Sequence, residues 1–313
     1  MENSRAEKKR MLEKSIKRER SAVLIVNTHS RSGKRFFYAT ADELAKKGIS
    51  VADSYPVQNP ERLPEVVQAA IKNKHKLIIV GGGDGTISSV VDFFAYQDAV
   101  LGILPLGTVN SFARTLGIPL NLKGAIDVIV NGKVVDVDLG KVGDNYFSNM
   151  VAIGFAAKIA REISRNLKKY TGVLSYGLTG IKILFSHQPF ECSLSMNENT
   201  FKFRTHQVVI TNGGHFGITP IAPDASADDR TLDVFIMDTP NRWQMTRLWV
   251  AFLLRKSAAL SQARFFKTKE LLLEASPQQH VEVDGEIIKQ TPVYISLAPH
   301  ALKVMASRDF VDR

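Results

Sequence analysis

A parallel α/β domain followed by a largely antiparallel β domain is the architecture this sequence predicts, with the boundary near residue 138. Three observations predict it. Up to Asp136, short apolar runs alternate with helical patterns, and that alternation requires a parallel sheet with helices on both faces. From "VVDVDLGKVGDNYFSNMVAIG" onward, strand patterns crowd together and turn residues become frequent. Finally, polar or glycine-rich loops follow three of the early strands, where open α/β sheets bind ligands.

The elements follow in order. "AVLIVN" is a strand, and "RFFYATADELAKKG" reads as a helix ending at Gly48. "ISVADSYP" is a second strand. "LPEVVQAAIKNK" has helical apolar spacing, and Pro64 is acceptable in a first turn. "KLIIV" is a third strand, and Ile87, Val90, Val91 and Phe94 then share one helical face. "VLGILP" is a fourth strand, and "NSFARTLG" opens another helix. In the second half, "FKFRTHQVVITNGG", "TLDVFIMDTP", "ELLLEASPQQHVEVDGEIIKQTPVYISLAP" and "ALKVMA" read as strands. Helical patterns there are confined to about 156–169, 174–186 and 243–261.

Bulk properties bound the function. A chain of 313 residues with 44% hydrophobic content can build two cores. Cys192 is the only cysteine, which excludes an intrachain disulfide and a cysteine-built zinc site and fits a reducing, cytoplasmic setting. The charged N-terminus has no apolar core of a signal peptide, and "LWVAFLL" is far short of the ~20 residues of a membrane span. A net charge of +10 favours anionic partners. Arg5 to Arg20 carries eight Lys or Arg against three Glu. This run, the basic tail 1–20, reads either as a solvated, partly helical segment or as an electrostatic foot on an anionic membrane.

The three loops are "NTHSRSGK", "GGGDGT" and "PLGTVN". Each alone could be a tight turn, but together they favour a phosphate or nucleotide site. Neither the Walker A spacing nor the dinucleotide fingerprint is present, because Thr86 occupies the last glycine position of the latter. What remains is glycine backbone beside a helix N-terminus, with Thr86 as its expected cap. Asp84 is out of place beside bare phosphate. A divalent cation reverses the sign, because Mg²⁺ is held by one or two carboxylates plus substrate phosphates. The competing reading makes Asp84 a helix-capping or turn residue.

"GGGDGT" followed by "GILPLGTVNSFART" resembles the diacylglycerol kinase catalytic family, which includes bacterial lipid kinases and the sphingosine and ceramide kinases. "VVDVDLGKV", "YFSNMVAIGF", "VVITNGGHFG", "IAPDASADDRTLDVFIM" and "VEVDGE" continue the resemblance in family order. It implies a Rossmann-like nucleotide domain over 21–138, with residues 300–313 packing back on it, and an antiparallel β-sandwich lipid domain over 139–299. It implies transfer of the ATP γ-phosphate to a lipid hydroxyl, with Mg²⁺.

By the same resemblance, Gly82, Gly83, Asp84, Gly85, Thr86, Ile87, Ser88, Thr108 and Asn110 would contact ATP, with Asn27 opening the first loop. Asp138 matches an acid near the lipid hydroxyl. Glu286 matches the proton acceptor, with Asp284 beside it, and Asp84 is expected to act with Glu286 across a two-domain cleft. Ser226, Asp229 and Thr231 match a structural Mg²⁺ site.

Two readings of "VEVDGEII" stand together. Asp-Gly between alternating runs is a hairpin signal. Alternatively, Glu282, Asp284 and Glu286 share one face of an extended strand. The sequence departs from the family at Thr28 (usually proline), Ser88 (often asparagine), Ser111 and Ala156 (often aspartate), and Arg230 (commonly glycine).

Two basic and apolar segments, residues 155–185 and 241–269, fit either interfacial helices or ordinary core helices. The leading expectation is a cytoplasmic, peripherally membrane-associated lipid kinase acting on diacylglycerol or a related alcohol, and the resemblance admits a homodimer. The alternatives are a soluble-alcohol kinase of the NAD kinase type, and a catalytically weak lipid-binding or regulatory protein. No RNP, KH or zinc pattern supports nucleic-acid binding.

Overall fold

A computed structural model describes residues 2–29, 33–162, 188–213, 215–216, 219–220, 226–237 and 263–311. The helical patterns expected at 174–186 and 243–261 lie outside the described residues.

The chain opens with α1 (Glu2–Glu19), β1 (Ser21–Asn27), α2 (Gly33–Lys46), β2 (Ser50–Val57), α3 (Leu63–Lys72) and β3 (Leu77–Gly82). It continues through α4 (Asp84–Phe94), β4 (Val100–Pro105), α5 (Ser111–Thr115), α6 (Leu122–Asn131) and β5 (Lys133–Val142). Then come β6 (Asn145–Phe147), β7 (Met150–Gly154), α7 (Phe155–Glu162), β8 (Phe190–Met196), β9 (Asn199–Thr205) and β10 (Gln207–Thr211). Further strands are β11 (His215–Phe216), β12 (Thr219–Pro220), β13 (Leu232–Met237), β14 (Ala263–Thr268) and β15 (Glu270–Ser276). The last are β16 (His280–Val283), β17 (Glu286–Gln290) and β18 (Val293–Ala306).

These elements form two compact units. Unit 1 is Met1–Leu139, Ala227–Asp229 and Ala298–Arg313, and unit 2 is Gly140–Ser226 and Arg230–Leu297. In unit 1 the strand order is β2-β1-β3-β4, with β4 joined by the end of β18, and all these pairs are parallel. β3 and β4 are buried at every residue, and β1 at all but its two ends, as expected of parallel strands covered on both faces. β2 is the exposed edge. The order reverses on the two sides of β1, so the switch point lies at the carboxyl ends of β1 and β3, where Asn27 and Gly82 sit.

The basic run read as a tail is, in the structure, an 18-residue helix within unit 1. Arg5, Lys9, Leu12 and Ile16 recur on one helical face. Asp136, buried in β5, receives Arg5 Nε at 3.0 Å and Lys9 Nζ at 2.7 Å. Val134 N donates to Glu13 at 3.2 Å, Lys76 holds Ser15 and Glu19, and Ile16 is buried.

Unit 2 contains a six-stranded antiparallel sheet, β14-β13-β10-β7-β16-β17, and a second antiparallel run, β9-β8-β15-β18. One apolar core joins them, with Val151, Ile153, Val208 and Ile210 from the first sheet and Leu194, Leu271 and Ile295 from the second. The segment "FKFRTHQVVIT", which reads as strand, divides at His206 into β9 and β10. The division is physical: β9 pairs β8 and β10 pairs β7, so the chain changes sheets there. Among the described residues no helix is long and apolar enough to cross a membrane.

Candidate active site

The three loops at the carboxyl ends of β1, β3 and β4 are knitted into one cradle in unit 1. Asn27 Nδ2 donates to Thr86 Oγ1 at 2.9 Å, tying the first loop to the second. Leu106 N donates to Gly82 O at 2.9 Å, tying the second to the third. There the two backbones touch: a Cβ on Gly107 would lie 2.4 Å from Gly83 Cα. Asn110, at φ 53 and ψ 51, closes the third loop by accepting from Gly107 N and donating to Gly107 O, both at 2.9 Å.

Several expected ligand residues are thus committed to the scaffold. Thr86 is buried, and the cap of α4 is Gly83, which corrects the sequence expectation; the Thr86 hydroxyl serves Asn27 instead. Both amide atoms of Asn110 are used within its loop, and Ile87 faces the core at 3% exposure. Gly82 is glycine because a Cβ there would meet the Thr86 side chain at 2.4 Å. Ser88 is half-buried, whereas Thr108 is exposed on its loop.

Gly85 is different. A Cβ there would meet nothing within 4 Å. Among the described residues no contact requires glycine at this exposed position in the first turn of α4. Glycine suits a place where something other than protein approaches the backbone closely. Gly85→Ala is expected to keep or raise thermal stability, by up to about 1 kcal/mol from helix propensity. It should weaken nucleotide binding at least about tenfold, a change of ~1.4 kcal/mol. Gly107→Ala should instead lower stability by about 1–3 kcal/mol, the range for overpacking. Thermal melts and nucleotide titration of both variants check this, and a reversed pattern contradicts it.

Asp84 points toward the start of α5, and its carboxylate accepts from Phe112 N at 3.5 Å. The capping reading is therefore partly met, on α5 rather than on α4. Burial pushes the carboxyl above its ordinary value, and the N–H groups of Phe112, Ser111 and Asn110 pull only part of that back. An ionised Asp84 is thus under-compensated by protein alone, and a cation would complete it. Among the described residues no group of three His, Cys, Asp or Glu could hold a metal unaided. One carboxylate sharing an ion with substrate phosphates needs no such group. Elsewhere in unit 1, Asp138 is fully buried on β5 and accepts from His300 N at 2.8 Å.

In unit 2, Asp284 and Gly285 form the two-residue turn between β16 and β17, with φ of 47 and 95. Two positive φ values match the type I′ hairpin that Asp-Gly favours. This overturns the single extended strand, because the three acids do not share a face. Glu282 is buried on β16, Asp284 turns inward, and Glu286 is exposed at the head of β17.

Asp284 is saturated. One carboxylate oxygen accepts from Ser148 N at 2.9 Å and Ser148 Oγ at 3.1 Å, the other from Asn149 N at 3.0 Å and Met150 N at 2.8 Å. Burial raises its pKa against those N–H groups. The hairpin is thereby fastened to the loop before β7, a connection whose only sequence trace is the polar "SN" after "YF". Ser226, Asp229 and Thr231 lie in the irregular segment before β13, in which Arg230 has φ 63. That left-handed conformation suits the glycine common there in the resembling family.

Known proteins match along the chain. The diacylglycerol kinase catalytic domain family matches residues 21–142, and the family described as "YegS C-terminal NAD kinase beta sandwich-like domain" matches residues 149–306. The protein is 31% identical over 244 residues to a diacylglycerol kinase of Bacillus subtilis, covering 76% of this chain and 80% of that one. It is 27% identical over 246 residues to one of Staphylococcus epidermidis, covering 77% and 78%. A structure titled as a putative diacylglycerol kinase from Bacillus anthracis superposes with a TM-score of 0.78 at 24% identity, covering 94% of this chain and 97% of that one, and so matches in fold. With the glycine cradle, the β-sandwich unit and these matches in agreement, the chain belongs to the diacylglycerol kinase catalytic family.

Proposed function

We propose that the protein transfers the γ-phosphate of ATP to the hydroxyl of diacylglycerol or a related lipid alcohol, with Mg²⁺. The observation that carries this reading is the cradle itself: an open glycine, Gly85, beside an under-compensated carboxylate, Asp84. The N–H groups at the start of α4 would receive phosphate oxygens. Asp84 would hold the ion, which neutralises phosphate charge when bound. Thr108 is free to reach the nucleotide from the exposed third loop.

Glu286 would accept the hydroxyl proton while the lipid oxygen bonds to the γ-phosphorus and the bond to the β-phosphate oxygen breaks, releasing ADP. Asp284 would act as a positioning residue, because its acceptor sites are already used. Exposed Lys8, Arg10, Lys14 and Arg18 on α1 would favour peripheral contact with anionic lipid.

Purified protein incubated with labelled ATP, Mg²⁺ and a total lipid extract, followed by mass spectrometry of labelled products, tests the reading. A phosphorylated lipid alcohol is expected. Label in added NAD but in no lipid would favour the soluble-alcohol alternative, and no labelled product at all would remove the kinase reading.

A further inference from the structure

We infer that the amino edge of the unit 1 sheet carries a second binding site, a crevice beside α1 that takes a single-chain anionic amphiphile. The crevice has a volume of about 270 Å³. Its floor is aliphatic, with Ile16, Ile49, Leu77, Ile129 and Met305 all buried. Its rim is cationic, with Lys17, Arg20 and Arg308. One lining carboxylate, Glu13, is already paired with Lys17.

The two guanidinium groups are fixed but not neutralised. Arg20 Nε donates to Gly48 O at 2.8 Å, and a second Arg20 N–H reaches Lys47 O. Arg308 Nε donates to Asn131 O at 2.7 Å. Among the described residues neither has a carboxylate partner. A carbonyl orients a guanidinium and leaves its charge, with N–H groups to spare for an anionic head.

Aliphatic floor and cationic rim together define an amphiphile. The volume falls just below the ~300 Å³ at which pockets for drug-sized ligands begin, which suits one chain of moderate length better than two. The place is separate from the cradle. Arg20, Ile49 and Leu77 precede or open β1, β2 and β3, whereas the cradle follows the carboxyl ends of β1, β3 and β4.

Calorimetric titration of the full chain with decanoate tests the inference. Binding of one equivalent is expected, with decanol and inorganic phosphate each at least about tenfold weaker, because one lacks the charge and the other the chain. The Arg20→Gln/Arg308→Gln double variant changes only exposed side chains, so its melt should stay near that of the parent, and it should bind decanoate at least about tenfold more weakly. Asp84→Asn should bind decanoate as the parent does, which separates this site from the kinase reading. No saturable decanoate binding below its micellar range would overturn the inference. So would undiminished binding by the double variant, or decanol binding as tightly as decanoate.

Discussion

Glu286→Gln is expected to lower turnover by about 10²–10⁴-fold, the range a positioned general base contributes. Nucleotide affinity and the melting profile should stay close to those of the parent. The residue is exposed at the first position of β17, opposite Val283. Glutamine keeps its shape and removes only the ability to take a proton. Glu286 is also the acid of the "VEVDGE" motif with a side chain open to solvent: Glu282 is buried, and Asp284 is consumed by the loop it anchors. Single-turnover phosphorylation isolates the chemical step. Full turnover in the glutamine variant would move the base elsewhere.

The second large effect is on stability. Asp284→Ala should destabilise the protein by about 3–5 kcal/mol, because it strands the buried N–H of Ser148 and the half-buried N–H groups of Asn149 and Met150 and puts alanine at a positive φ. Asp284→Asn should fall between, because asparagine tolerates the turn but presents its NH₂ to donors on one side. The order parent, asparagine, alanine is therefore expected in denaturant midpoints. Hydrogen exchange at Ser148, Asn149 and Met150 should accelerate in the same order. Equal exchange in all three proteins would show that the carboxylate does not hold that loop.

Much of this was legible in the residues. Periodicity located β1, β3 and β4 because buried parallel strands read as continuous apolar runs. The two loop motifs located the cradle. What the sequence could not show is which polar groups the fold consumes internally. Thr86, Asn110 and Asp284 belong to motifs that face a ligand in outline, yet each spends its hydrogen bonds on the scaffold. Conversely, Gly82, Gly83, Gly85 and Gly107 look alike in sequence. Only their surroundings separate Gly82 and Gly107, where a Cβ would clash, and Gly83, where it would be tight, from the one left open. The packing of the N-terminal helix, read as solvated and partly helical, was hidden for a related reason: its partner, Asp136, lies far along the chain, and charge runs alone look solvated.

Asp84 also carries the pH dependence. Its folded pKa is raised, so its contribution to stability is fully present below its unfolded value of ~3.9 and is lost as pH rises through the folded value. Above that folded value the ionised side chain therefore weighs against the apo fold, and a neutral isostere relieves it.

The most direct test is a paired measurement on Asp84→Asn: the apo melting temperature from about pH 4 to 8, and Mg²⁺-dependent ATP binding by calorimetry. A carboxylate kept for a metal-bound nucleotide predicts that the variant melts at or above the parent, with an advantage that grows toward neutral pH, and that Mg²⁺-dependent ATP binding is lost. A lower melting temperature at neutral pH with ATP binding intact would contradict it and make Asp84 the cap of α5.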